Sequence, residues 1–243
     1  MQKEVDELKS IIEASHNIVF FGGAGVSTES GIPDFRSQDG LYNLKYAYPP
    51  ETILSHSFFM SNPDEFYKFY KDKLVHANAK PNPAHIALAK LEAIGKLKAI
   101  ITQNIDGLHT TAGNKNVIEL HGSLHRNYCM DCNKKYSLEF MLEAEEIPLC
   151  SCGGVVRPDV VLFEEPLDES VIQNAVSSFI NADLLIIGGT SLTVYPAAAF
   201  IDYFRGGKLV LINKSGTPHD CKADLIIRMN IGDVFINLLR TLP

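Results

Sequence analysis

Four of the five cysteines lie in two close pairs, and such pairs are typical of a metal site. Cys129 and Cys132 form a C-x-x-C motif, and Cys150 and Cys152 form a C-x-C motif further along the chain. Four thiolates suit tetrahedral zinc, and a site closed by four protein ligands leaves no position for a catalytic water. We therefore predict one structural Zn²⁺ ion, with four free buried thiols as the alternative.

A glycine-rich turn follows the apolar run NIVFFG and departs from the usual dinucleotide-binding pattern. The chain continues Gly23-Ala24-Gly25, but Thr28 stands where G-x-G-x-x-G has its third glycine. Glycines after a buried strand let backbone N–H groups approach a phosphate closely, although plain tight turns use glycine as well. The usual ribose-binding acidic residue about 20 residues further on is not clearly present, which disfavours a standard dehydrogenase.

Polar residues follow several other apolar runs, at the edge where doubly wound sheets bind ligands. A second glycine turn lies in IIGGTSL, and Asn213 ends the run KLVLIN, so a nucleotide crevice is favoured. Asn104 and Asp106 follow LKAIIT, although either residue serves equally well as a helix N-cap. His121 follows VIEL, and a histidine in that place suits a general base because its pKa lies near neutrality.

The elements that must position these residues alternate between strands and helices. Continuous apolar runs predict buried strands, and apolar residues at helical spacing predict helices over 5–14, 62–78, 84–94, 168–180, 195–204 and 231–241. This alternation predicts an α/β fold with a parallel, doubly wound sheet covered on both faces. Two segments interrupt it: a proline-containing stretch from about 36 to 83 and the cysteine-containing stretch from about 122 to 160.

Composition and charge narrow the class of protein. The chain has 243 residues, 46% of them hydrophobic, which is enough for one large core or a core and a small module. The net charge of −7 argues against a general nucleic-acid coat, so nucleic-acid binding is not expected. No apolar run approaches the roughly 20 residues that a bilayer needs, and the N-terminal residues lack a signal-peptide core. We expect a cytoplasmic protein without membrane contact.

Taken together, these motifs resemble those of the sirtuins, which are NAD-dependent protein lysine deacylases. The motifs are GAGVSTESGIPDFRS, TQNIDGLH, HGS, the four-cysteine module, GTSLTVYPAA and INKSGTPHDCKADL, in the family's order and spacing. The resemblance implies a Rossmann-like NAD-binding domain over 1–35, 84–121 and 160–243, and a small domain made of a helical part, 36–83, and a zinc-binding module, 122–159. The resemblance further implies a substrate cleft between the two domains.

The resemblance also implies a role for each matching residue. His121 matches the family's general base, and Asn104 and Asp106 are the other implied catalytic residues. Gln103 and Asn104 would contact the nicotinamide ribose, and Ile105 and Asp106 the nicotinamide carboxamide. The residues that match the adenosine side are Gly189, Thr190, Ser191, Asn213, Lys214 and Asp233. Acetyl-lysine peptides or proteins are the implied partners, inserting as a third strand between two edges. These edges are formed by Val161, Phe163, Val194 and Tyr195. The implied NAD-binding residues are Gly22, Ala24, Gly25, Thr28, Phe35, Arg36, Gln103, Asn104, Ile105, Asp106, Gly189, Thr190, Ser191, Asn213, Lys214 and Asp233.

In such enzymes NAD is consumed: the acyl oxygen of the modified lysine attacks the ribose, nicotinamide leaves, and the acyl group ends on ADP-ribose. One position departs from the family pattern, because Glu164 stands where a glycine is usual, which leaves peptide preference open. The first alternative is a protein mono-ADP-ribosyltransferase, which uses the same NAD cleavage. The second is a non-enzymatic nucleic-acid binder built on the zinc module, and the net charge and His121 argue against it.

Overall fold

The computed structural model describes residues 2–35, 40–41 and 46–240. Their strands are β1 Ile18–Gly22, β2 Leu97–Thr102, β3 Val117–Glu119, β4 Gly122–Cys129, β5 Lys135–Tyr136, β6 Val156–Val160, β7 Leu184–Gly188, β8 Lys208–Ile212 and β9 Leu225–Ile227. Within these residues, six strands form one parallel sheet in the order β3-β2-β1-β7-β8-β9. The α/β fold with a parallel, doubly wound sheet is confirmed.

The α-helices of the described residues are α1 Gln2–Ala14, α2 Pro50–Ile53, α3 His56–Ser61, α4 Pro63–Phe69, α5 Pro83–Ala93, α6 Leu108–Thr111, α7 Leu138–Glu143, α8 Glu169–Asn181 and α9 Ile231–Leu239. Four of them cover the two faces of the parallel sheet. Leu8, Leu88 and Phe235 place α1, α5 and α9 on one face. Phe179 places α8 on the other face. Because both faces are covered, β1, β7 and most of β2 and β8 are buried along their length, as continuous apolarity predicts.

Strand order reverses at β1, and this reversal sets the place of the candidate site. Gly22 at the end of β1 pairs with Thr102 of β2 on one side and with Gly188 of β7 on the other. The segments that leave these three strands therefore begin side by side. In open α/β sheets, ligands bind in the crevice at such a switch point.

The two interrupting segments share a core of their own. Phe66 and Tyr67 of α4 pack with Leu124 of β4, Met141 of α7 and Val156 of β6. The strands of this part form an antiparallel sheet in the order β5-β4-β6. The Tyr67 hydroxyl donates to the Val156 carbonyl over 2.7 Å, which joins the helical segment to the cysteine-containing segment.

Two predicted helices differ in detail from the structure. The stretch predicted as one helix over 62–78 is α4 followed by a π-helical turn, Tyr70–Leu74. The stretch 195–204 forms a 3₁₀ helix, Ala197–Tyr203, instead of an α-helix. Three residues per turn place Ala197 and Phe200 on the same buried side, so an apolar periodicity cannot separate the two helix types over so short a length. No helix among the described residues is long and apolar enough to span a membrane.

Candidate active site

The two glycine turns lie directly against each other at the switch point. Gly25 N donates to the Gly189 carbonyl over 2.8 Å, and Gly23 N donates to the Gly188 carbonyl over 3.3 Å. A Cβ on Gly25 would lie 2.8 Å from the Gly189 Cα, and Gly189 itself has a φ of +59°. The glycines therefore allow two backbone turns to touch. In the 3₁₀ turn Ala24–Val26, Val26 N donates to the Gly23 carbonyl over 2.9 Å, so Ala24 has the N–H that these bonds leave unused.

Thr28 explains why this turn needs no third glycine. It begins a second 3₁₀ turn, Thr28–Ser30, and its hydroxyl donates to the Gly25 carbonyl over 3.1 Å. The turn closes at Gly31, where φ is +85°. A side chain at 28 thus stabilises the loop by a hydrogen bond, in place of the close helix-to-strand contact that the third glycine of the usual motif permits.

A hydrogen-bonded cluster joins the first turn to the segment after β2. Ser27 Oγ donates to Asp106 Oδ2 over 2.6 Å and accepts from Asn104 Nδ2 over 3.1 Å. Asp106 Oδ1 also accepts from Leu108 N over 2.9 Å, although the N-cap residue of α6 is Gly107 and neither Asn104 nor Asp106. The Gln103 amide lies 3.5 Å from Thr190 Oγ1 in the second glycine turn. The structure therefore brings Gln103, Asn104 and Asp106 together with both turns.

His121 lies just after β3, where its ring is fixed by the backbone. Its Nδ1 is 2.9 Å from the Gln103 carbonyl oxygen. Because a carbonyl only accepts, we assign the proton to Nδ1, which leaves Nε2 as the basic nitrogen. Burial lowers the pKa of His121 and the Gln103 carbonyl opposes that shift, so the ring is mainly neutral at pH 7. A neutral, oriented imidazole suits a general base.

Three of the residues expected to bind the adenosine side form hydrogen bonds with near neighbours in the chain. Asn213 Nδ2 donates to the Ser215 carbonyl over 3.0 Å, at the end of β8. Asp233 lies in the first turn of α9 and accepts from Asn230 Nδ2 over 3.1 Å. Lys214 is exposed. Ser191 lies with its hydroxyl 2.8 Å from that of Thr193 in the second glycine turn.

The remaining residues predicted to bind NAD lie in the described part of the chain, except for Arg36. Phe35 and Ile105 pack against the small core that holds Leu124 and Val160. Ala24 is half-buried in its turn, and Gly22 is buried at the end of β1. Arg36 lies outside the described residues.

The segment after β6 contains Val161 and Phe163, which are predicted to form one of the two peptide edges. Val161 N donates to the His121 carbonyl over 3.0 Å, which ties this edge to the candidate base. Phe163 uses both of its backbone groups toward the helical segment, donating to the Leu54 carbonyl and accepting from His56 N. Its ring remains 45% exposed. The N–H and carbonyl of Phe163 are thus both hydrogen-bonded within the protein, so Phe163 can contact a ligand only through its side chain.

A buried ion pair fixes that same edge. Glu165 accepts from both terminal nitrogens of Arg157, from Leu162 N and from His56 Nδ1, all within 3.0 Å. Burial raises the pKa of Glu165, but Arg157 and these donors outweigh it and hold the pKa below its usual value. Glu164, one residue earlier, has a φ of +77° and accepts from the N–H and hydroxyl of Ser57.

The other expected edge lies at Val194 and Tyr195. The Val194 carbonyl accepts from Ala198 N over 2.9 Å, at the start of the 3₁₀ helix. Tyr195 is 72% exposed, and its peptide bond to Pro196 is cis. An exposed aromatic side chain at each edge suits an extended peptide ligand.

The four clustered cysteines fit a metal ion. Their sulfur atoms all lie within 4.8 Å of one another, and three of the pairs are 3.5 Å apart. Tetrahedral Zn²⁺ with Zn–S bonds of about 2.3 Å places its sulfurs about 3.8 Å apart. The Cys152 N–H and the Tyr136 hydroxyl lower the pKa of Cys150 to about 6, whereas neighbouring sulfurs raise the pKa of Cys132 and of Cys152. One thiolate is thus favoured by the protein, and binding of zinc has to displace the protons of the others.

Comparison with known proteins identifies the family. The model of the Sir2 family matches residues 23–196. The chain belongs to the Sir2 family. An NAD-dependent protein deacetylase of Clostridium perfringens is 63% identical over 238 residues, which cover 96% of this chain and 98% of that protein. A protein of the same name from Clostridium acetobutylicum is 60% identical over 235 residues, covering 95% and 96%.

Solved Sir2 structures share the whole fold. Sir2 with a p53 peptide and NAD+ has a TM-score of 0.84 and 40% identity, covering 97% of each chain. Sir2 with an inhibitor, 2'-O-acetyl-ADP-ribose and a deacetylated p53 peptide has a TM-score of 0.85 at 40% identity, again covering 97% of each chain. The resemblance predicted from the motifs is confirmed.

Two residues of this Sir2 protein were absent from the predicted set. Ser27 bridges Asn104 and Asp106, and the signal for it was a hydroxyl directly after Val26 in the first turn. His125 contacts the Asp106 carbonyl through its ring, and no local pattern around it pointed to the site.

Proposed function

We propose that this protein is an NAD-dependent protein lysine deacetylase that transfers the acetyl group of acetyl-lysine to ADP-ribose and releases nicotinamide. The observation that carries the proposal is the place of His121. Its Nδ1 is held by the Gln103 carbonyl, and its basic nitrogen is left for chemistry beside the Asn104 and Asp106 cluster. Relatives at 60% and 63% identity carry the same activity in their names.

The residues at the switch point fit NAD. Where the two glycine turns meet, a Cβ on Gly25 or Gly189 would lie too close to backbone atoms, and Ala24 has an N–H that is not used in the backbone bonds of the turn and suits a phosphate oxygen. The segments after β2 and β8 supply Gln103 for the nicotinamide ribose and Asn213 for the ribose on the adenosine side. When bound, NAD supplies a ribose carbon open to attack and nicotinamide as the leaving group. The full set of predicted NAD residues, Arg36 included, is part of this proposal.

The side chains of this chain divide the work. Asp106, held by Ser27 and Leu108, orients the nicotinamide carboxamide so that the bond to ribose is poised to break. Phe35 shields the reacting ribose face from water. His121 takes a proton from a ribose hydroxyl as that hydroxyl attacks the acetyl carbon, and burial keeps the ring neutral for this step. The bond from the acetyl carbon to the lysine nitrogen then breaks with uptake of one water molecule, so that the free amine leaves and the acetyl group stays on ADP-ribose.

Acetyl-lysine peptides bind as an extended strand between the edge at Val161 and Phe163 and the edge at Val194 and Tyr195. Cys129, Cys132, Cys150 and Cys152 hold one structural zinc ion, and a site closed by four thiolates takes no part in the chemistry. We also propose the two-domain division predicted from the sequence, which is supported by the separate small core. A reducing, cytoplasmic compartment suits the zinc thiolates.

Nicotinamide release tests this function. The purified protein is incubated with NAD, with and without an acetyl-lysine peptide, and nicotinamide and NADH are quantified. We expect nicotinamide only when the acetylated peptide is present, and no NADH. Formation of NADH contradicts the proposal, and so does nicotinamide release that is the same with and without the acetylated peptide.

A further inference from the structure

His125 lies on β4 at a point where that strand leaves its own sheet. The pairing of β4 with β6 is interrupted between Ser123 and Asn127. Within the interruption β4 bonds to the segment that follows β2, because Leu124 N donates to the Ile105 carbonyl over 3.0 Å. The strand therefore contacts the candidate nicotinamide segment through its backbone.

The His125 ring contacts the same segment. Its Nε2 lies 3.0 Å from the Asp106 carbonyl oxygen, and since a carbonyl only accepts, Nε2 must carry the proton. The ring also lies over Gly107, whose φ is +70°. A Cβ on Gly107 would lie 2.6 Å from His125 Cδ2. Glycine at 107 thus gives the ring its access to the carbonyl.

Asp106 is consequently held at three points. Its carboxylate accepts from Ser27 Oγ over 2.6 Å and from Leu108 N over 2.9 Å. Its carbonyl accepts from His125. The first two bonds fix the side chain, whereas the third fixes the peptide plane that follows it. Rotation of that plane would change the backbone conformation of Asp106, the residue that we assign to the nicotinamide carboxamide.

We propose that His125 is a positioning residue of the nicotinamide site, holding the segment Ile105–Gly107 in the conformation that binds NAD. The inference rests on the proposed function, because it concerns how that site holds its co-substrate. His125 contacts the Asp106 carbonyl oxygen, and it acts on NAD binding only through this contact. Its loss therefore weakens NAD binding, while peptide binding along Val161 and Phe163 does not depend on it.

Three substitutions separate the hydrogen bond from the bulk of the ring. His125→Ala removes both. His125→Gln places an amide N–H at about the same reach as Nε2, and His125→Glu has the same length with acceptors only. Arg126→Ala is the matched control, since Arg126 is the next exposed residue of β4 and pairs with Glu119 and Asp159.

The readouts are the Kd of NAD by calorimetry, the KM for NAD, the KM for an acetylated peptide and the Tm. We expect His125→Ala and His125→Glu to raise Kd and KM for NAD about 3- to 10-fold, the effect of one lost hydrogen bond. His125→Gln and Arg126→Ala stay within about 2-fold of the wild type, and the KM for peptide stays unchanged throughout.

The proposal is overturned if His125→Gln weakens NAD binding as much as His125→Glu does, or if the KM for peptide rises in parallel with that for NAD. It is also overturned if all three variants bind NAD like the wild type. If the wild type binds NAD but deacetylates no peptide, the proposed function fails, and the calorimetric series still decides the role of His125.

Discussion

The contact between the two glycine turns predicts that Gly25→Ala destabilises the protein. The new Cβ would lie 2.8 Å from the Cα and carbonyl oxygen of Gly189, well inside the roughly 3.5 Å at which carbon atoms meet. Both obstacles are backbone atoms, so one whole turn has to move. Overpacking of this kind costs about 1 to 3 kcal/mol. Reduced freedom of the unfolded chain offsets about 0.4 to 1 kcal/mol of that cost.

A net loss of about 1 to 2 kcal/mol corresponds to a fall in Tm of about 2 to 8 °C for a chain of this size. Differential scanning calorimetry measures it, and calorimetric titration shows whether the Kd for NAD rises as the displaced turn loses its alignment. Gly207→Ala is the control, because a Cβ there meets only the Asp183 carbonyl at 3.5 Å. If Gly25→Ala proves as stable as Gly207→Ala, the two turns separate freely and this explanation of the glycine pattern is wrong.

Three further predictions concern the base, the metal and the peptide edge. His121→Ala lowers kcat by about 10²-fold or more and leaves the Kd for NAD unchanged. Because burial lowers the pKa of His121, the kcat of the wild type falls with decreasing pH only below about 6.5. A fall in kcat that begins above that pH argues against His121 as the base. Cys129→Ser lowers zinc content below one ion per chain and the free energy of unfolding by more than about 3 kcal/mol, whereas active protein without zinc contradicts the structural role. Glu164→Gln raises the KM about 2- to 5-fold for peptides with Lys or Arg beside the acetyl-lysine, because the carboxylate that attracts these side chains is lost, and it leaves the KM for acidic peptides unchanged. An equal change in KM for both kinds of peptide contradicts a role for the charge of Glu164.

Features that depend on one short stretch were predictable from the sequence. The cysteine spacing indicated a closed four-thiolate site, and the structure gathers those sulfurs within 4.8 Å. Continuous apolar runs indicated strands buried on both faces, and β1 and β7 are buried throughout. In both cases the signal and the contact lie within the same element or module, so a local pattern contains the whole physical cause.

Features that depend on distant contacts were not predictable in the same way. The bond from Ser27 to Asp106 joins residues 79 positions apart, and it exists only because β1 and β2 are neighbours in the sheet. The glycines of the first turn suggested close approach to a phosphate, but Gly25 also has to make room for Gly189. His125 reaches Asp106 only because β4 leaves its pairing with β6. The local pattern of apolar and polar residues does not predict any of these contacts, because each one joins two distant segments of the chain.

Product analysis tests the central claim most directly. The protein is incubated with NAD and an acetyl-lysine peptide, and the peptide, nucleotide and protein fractions are analysed by mass spectrometry. The account predicts one deacetylated peptide and one acetyl-ADP-ribose for each nicotinamide released, with the loss of all three in His121→Ala. Nicotinamide released with ADP-ribose attached to protein, and with the acetyl group still on lysine, would contradict it and show a mono-ADP-ribosyltransferase instead.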